Sequence, residues 1–195
     1  MPRPSPQTKF DTLIRRLNEL KLQGGTGLEL EIKRIKKEAE KLLSVDPAAA
    51  FTTLGIIACF EGKISDMHGF HKNALIHSGE DDPLHLANYA ISLHMCGLLE
   101  EALQYAKKAY EKSQTDLERR RKALDLIINL TDQLGNVEEF FFYTGQWLQL
   151  TGKPHPLIDL EVGLTGKPDP ESADDVTAMS PLIKKVEELI KDVRD

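Results

Sequence analysis

Histidine and cysteine are the side chains in this 195-residue sequence best suited to hold a metal or attack an electrophile, and there are six of one and two of the other. His68 and His71 stand about one helical turn apart, and His94 is followed at once by Met95 and Cys96. Cys59 and His94 are 35 residues apart, which makes them neighbours in any structure that repeats at that interval. A zinc site needs three or four converging ligands. Two neighbours and a thioether fall short of that, so the pattern reads as a packed histidine beside a buried thiol, with no metal. A ligand- or metal-binding enzyme built on Cys59 and His94 is the alternative. Gly-x-Ser-x-Gly, His-Glu-x-x-His and Ser-x-x-Lys are all absent, so no nucleophile or metal-bound water is set beside a base by spacing. The expectation is a chain that is not an enzyme, with no catalytic residues and no cofactor.

Two other stretches invite a phosphate. Gln23-Gly24-Gly25-Thr26-Gly27 has no preceding strand and no Gly-Lys-Ser/Thr ending, both of which a phosphate loop requires; it reads as a turn. Arg119-Arg120-Arg121-Lys122 is flanked by Asp116, Glu118 and Asp125 and reads as a solvated helix face. The net charge of −6 argues against nucleic acid and anionic membrane as partners, since both select a basic face.

The elements that position these residues are helices. With 41% hydrophobic and 29% charged residues, the composition is that of a soluble domain or short repeat array. No apolar run approaches the roughly 20 residues of a membrane span. MPRPSPQTKF lacks an apolar signal core, so the default compartment is the cytoplasm. Residues 1–7 read as disordered. Phe10, Leu13, Leu17 and Leu20 then mark a helix from about Thr8 to Leu22. Leu28, Ile32, Ile35, Ala39 and Leu42 mark a second, to about Ser44. Asp46-Pro47 and Asp82-Pro83 each combine an N-cap with proline at the first helical position.

Between Asp82 and Ser113, two helical patterns face each other across Cys96-Gly97. Slid back by 35 residues without a gap, Leu86 falls on Phe51, Tyr89 on Leu54, Ala90 on Gly55 and Leu93 on Ala58. Gly97 falls on Gly62, Ala102 on Met67, Ala106 on His71 and Ala109 on Ala74. A further copy, shifted by 38, aligns Leu124, Ile127, Ile128, Thr131, Gly135, Phe140, Thr144 and Trp147 with the same series. Thr115-x-x-Glu118 reads as the capping box of its first helix. This layout resembles the tetratricopeptide repeat (TPR), a helix–turn–helix unit of about 34 residues. The resemblance covers about Asp46 to Leu150, and residues 8–45 read as a degenerate copy, with Arg16 and Glu19 at places meant for bulky apolar residues.

The resemblance implies an all-α, TPR-like superhelix. Residues 8–45 form a helical pair, 46–152 three repeats, 153–179 an arm and 180–195 a terminal helix, expected to cap the last repeat. It also implies that the first helices of the repeats line a groove for a peptide. The lining would include Thr52 and Ile56, then Asn88, Ile91 and His94, then Lys122 and Asn129. One TPR subfamily grips a partner's C-terminal carboxylate with a Lys/Asn/Asn/Lys/Arg clamp. Asn88 and Lys122 match two of those places, but Thr52, Ile56 and Leu126 occupy the others, so chaperone-tail binding is not expected. The functional expectation is a non-catalytic adaptor or chaperone with a protein or peptide partner. Self-association, including a homodimer, is another reading. Whether Ile56, Ile91 and Leu126 stay open or are covered by this chain's own N-terminal pair or C-terminal arm is not settled by the pattern.

Overall fold

The computed structural model describes residues 5–23 and 28–158, without the side chains of 20–23 and 28. These residues form eight α-helices and no strand: α1 (Pro6–Gln23), α2 (Leu28–Leu42), α3 (Pro47–Phe60), α4 (Ile64–Ser78), α5 (Pro83–Met95), α6 (Leu99–Lys112), α7 (Leu117–Gln133) and α8 (Val137–Thr151). The chain divides into two compact units, 1–135 and 136–195. The first unit holds α1 to α7. The expected terminal helix and all of the arm beyond Ile158 lie outside the described residues.

The turns explain why the pattern repeats. Gly62 and Gly97 adopt φ of +70° and +76°, a left-handed conformation that costs a Cβ-bearing residue energy and glycine almost nothing. Each reverses the chain after a first helix. The amide of Lys63 then bonds the carbonyl of Ala58 at 2.8 Å, and that of Leu98 bonds Leu93 at 2.9 Å, satisfying carbonyls the helix end would otherwise leave bare. At the other ends, Asp46 Oδ1 accepts from the Ala49 amide at 3.1 Å and Asp82 Oδ1 from Leu84 at 2.8 Å.

The expected capping box on α7 is corrected. Asp116, not Thr115, is the N-cap, and its Oδ1 accepts from the Arg119 amide at 3.0 Å. Thr115 lies exposed in the preceding turn. The helix begins at Leu117, so the carboxylate one residue before it is the group placed to meet the free amides of the first turn.

Small residues make the crossings. Ala102, Ala106 and Ala109 on α6 are fully buried, and α6 packs on α5. Leu86, Tyr89, Ala90 and Leu93 of α5 are buried as well. First helices also pack in order, α1 on α3, α3 on α5 and α5 on α7. Leu13 and Leu17 of α1, Ile32, Ile35, Ala39 and Leu42 of α2, and Leu54, Ile56 and Ile57 of α3 form one apolar cluster. Each large aliphatic side chain buried there contributes about 1.5–3 kcal/mol. Arg16 leaves the apolar plan: its guanidinium pairs with Glu31 at 2.5 Å and Glu38 at 2.9 Å on α2. That bridge occupies a position at which the repeat pattern calls for a bulky apolar side chain, so the N-terminal pair matches the repeat only halfway.

In the second unit, α8 is capped by Asn136, whose Oδ1 accepts from the Glu139 amide at 3.3 Å, and ends at Gly152 in a left-handed turn. Phe140, Thr144 and Trp147 are buried, whereas Phe142 is 60% exposed. The Trp147 indole meets the His155 ring edge-on at 4.8 Å between centroids.

Candidate functional site

Three first helices of the N-terminal unit enclose an open groove of about 910 Å³. Its floor comes from α5, through Leu84, Ala87, Asn88 and Ile91. One wall is α7, with Arg119, Lys122, Ala123 and Leu126; the other is α1, with Phe10, Asp11, Ile14, Arg15 and Asn18. Ile91 is 42% exposed there, an unusual position for a large aliphatic side chain on a helix otherwise well buried. The rim charges pair along their own helices: Arg119 with Asp116 at 3.1 Å, Lys122 with Glu118 at 3.2 Å and Arg15 with Glu19 at 3.9 Å. Such exposed pairs add little stability. Their carboxylates and cations stay within reach of a ligand lying on the floor.

Of the seven residues that the sequence assigned to a groove, Asn88, Ile91 and Lys122 line this one. Thr52 does not. It is fully buried and its hydroxyl shares a 2.7 Å hydrogen bond with His85 Nδ1. Ile56 does not either: it is 8% exposed and packed in the cluster with Leu13 and Leu17 of α1. The physical reason is α1 itself. It lies on α3 as a first helix lies on the next, and Phe10 reaches the ring of His85 at 6.2 Å. That closes the part of the surface α3 would have offered. Ile56 is thus covered by the N-terminal pair, while Ile91 stays open. His94 and Asn129 are outside the lining; His94 Nε2 donates to Gln133 Oε1 at 3.0 Å, and the Asn129 amide donates to the Asp125 carbonyl at 2.7 Å.

The α1 wall is the part sequence reasoning missed. The signal was present: if residues 8–45 are a repeat-like pair, their first helix must line the same face as the others. Applying that rule to Asp11, Ile14, Arg15 and Asn18 would have found it.

The metal and enzyme alternative gains nothing from the geometry. Cys59 Sγ lies 2.9 Å from Cys96 Sγ and donates to the Ser92 carbonyl at 3.3 Å, while His94 turns to Gln133. Among the described residues, no three histidine, cysteine or carboxylate side chains converge on one point. The groups with strongly shifted pKa sit away from the groove. Burial, with smaller effects from His85 and His68, pushes His71 down to about 3. Burial, with Tyr105 and Glu101 adding to it, pushes the Tyr89 hydroxyl above its usual range. Tyr89 OH is 2.6 Å from His68 Nδ1, in a separate depression of about 460 Å³ that Lys72, Glu101 and Tyr105 also line. A phenol held neutral in this way donates a hydrogen bond and is a poor base.

No protein-family model matches this sequence, and no curated protein does. Among solved structures, PilF of Pseudomonas aeruginosa, a TPR-containing protein, matches with a TM-score of 0.55 at 22% identity. The fold is TPR-like. The match covers 75% of this chain and 63% of the PilF chain, so the TPR-like chain spans under two thirds of that neighbour's length. Among the described residues, no helix of this TPR-like chain is long and apolar enough to cross a membrane.

Proposed function

We propose that this chain is a non-catalytic protein-interaction module, an adaptor or chaperone, that takes a peptide segment of a partner in the groove between α1 and α7. One observation carries the reading: a groove of about 910 Å³ whose floor exposes Ile91 and whose rims carry both signs of charge. An apolar floor rewards apolar side chains, and paired rim charges tolerate a peptide's polar flanks. The shifted acid on this groove is Glu118, whose carboxyl the hydrogen bond to Lys122 and the charge of Arg121 hold below the usual range; a carboxylate held ionised by neighbouring cations is a poor proton donor and a weak base, which favours binding over catalysis.

The test is selection from a random peptide library displayed on phage, with the full chain as bait. Selected peptides should lose at least tenfold in affinity on Ile91→Glu, with helicity by circular dichroism unchanged, and should ignore Val137→Glu on α8. Affinity that survives Ile91→Glu would move the binding surface elsewhere. Concentration-dependent mass in light scattering, abolished by Ile91→Glu, would favour self-association.

A further inference from the structure

The two cysteines of the chain, 37 positions apart in sequence, end adjacent first helices at the same edge of the array. Cys59 is in the last turn of α3 and Cys96 is the C-cap of α5. Their sulfurs are 2.9 Å apart. Neither is in a disulfide, and a disulfide bond of about 2.05 Å is reached by an approach of about 0.9 Å. The Cys59 thiol donates to the Ser92 carbonyl at 3.3 Å on α5, which aims its sulfur at the neighbouring helix. Cys59 is 9% exposed, whereas Cys96 is partly open to solvent. One thiol is therefore accessible and the other is held behind it. Cys96 stands at the very end of α5, one residue before Gly97.

We propose that Cys59 and Cys96 form a dithiol–disulfide pair that reversibly joins α3 to α5. The oxidant is a small-molecule disulfide. The Cys96 thiolate attacks one of its sulfurs, forms a mixed disulfide and expels one thiolate. Cys59, having lost its proton, attacks the Cys96 sulfur of that mixed disulfide and expels the second thiolate. The two protons given up by the cysteines end on the two released thiols, and the small disulfide takes the two electrons. A small dithiol runs the same exchange backwards. The bond ties the repeat that carries the groove floor to the repeat before it and constrains the unfolded chain between them.

The test treats the full chain with glutathione disulfide and follows intact mass and thermal unfolding. Wild type should lose two hydrogens with no retained glutathione, melt about 5–15 °C higher, and return to its starting mass and melting temperature with dithiothreitol. Cys59→Ser should stop at a single glutathione adduct on Cys96, since the resolving thiol is gone. Cys96→Ser should react much more slowly, because Cys59 alone is buried. A wild type that stays fully reduced, keeps glutathione on Cys96 or forms a disulfide-linked dimer would overturn the proposal. An intramolecular bond that leaves the melting temperature unchanged would overturn the tethering role.

Discussion

The imidazole of His71 on α4 fills the space that a side chain at Gly55 on α3 would take. A Cβ built on Gly55 lies 2.7 Å from both Cδ2 and Nε2 of that ring. In the next repeat the equivalent residues are Ala90 and Ala106, both fully buried. The two crossings are filled by different residues. One pairs two methyl groups; the other pairs a ring with no side chain at all. His71 is then fixed by a 2.8 Å hydrogen bond between Nε2 and Ser92 Oγ and by stacking on Tyr89 at 4.8 Å.

Gly55→Ala should therefore be costly although alanine is the better helix former. The ring cannot swing aside without losing Ser92 and Tyr89, so the overpacking cost should be about 1–3 kcal/mol. Urea unfolding of Gly55→Ala against wild type measures it. The double variant Gly55→Ala/His71→Ala should recover part of the loss, as expected for residues in direct contact.

His71 should also make the protein acid-sensitive. Its folded pKa of about 3 lies below the ordinary 6.5 because burial disfavours the charged ring. Unfolded chain takes up a proton as pH falls through 6.5 and folded chain does not, so stability is full above 6.5 and is lost toward 3. The loss from pH 7 to pH 5 should be about 2 kcal/mol. His85, also depressed by burial, adds in the same direction. Denaturant melts at the two pH values should show a smaller difference for His71→Gln than for wild type.

Ala106→Leu should cost about 1–3 kcal/mol by forcing α6 away from α5. The site is fully buried, and extra methylenes inserted into a packed core force neighbouring groups aside. Thermal melts of this variant against Leu117→Ala, at a side chain 66% exposed, separate overpacking from a general effect of substitution.

Asp116→Ala should lower stability by about 1 kcal/mol, the usual worth of an N-cap, while Thr115→Ala should change it by less than about 0.5 kcal/mol. Chemical denaturation of the two variants decides between them. An effect at Thr115 equal to that at Asp116 would mean the helix starts one residue earlier than the hydrogen bond to Arg119 implies.

The helix pairs were legible because the determinants are local and periodic. Proline after aspartate, glycine at the reversal and small residues at fixed spacing act within one or two turns, and the 35-residue register carries them from copy to copy. Asn88, Ile91 and Lys122 could be placed on one face for the same reason: a helix converts spacing into direction. The sequence alone thus determined the repeat, the turns and the shared face of Asn88, Ile91 and Lys122.

Tertiary packing decided which of those inward residues stay open. Thr52 and Ile56 have the spacing of a binding face, yet α1 lies across α3 and turns them into core, while Ile91 one repeat later is left uncovered. The same holds for Cys59, whose spacing pointed to His94 and whose sulfur meets Cys96. Periodicity gives the direction in which a side chain leaves its own helix. What it meets depends on how far neighbouring helices extend and tilt, and those are properties of packed volumes contributed by residues far apart in the chain.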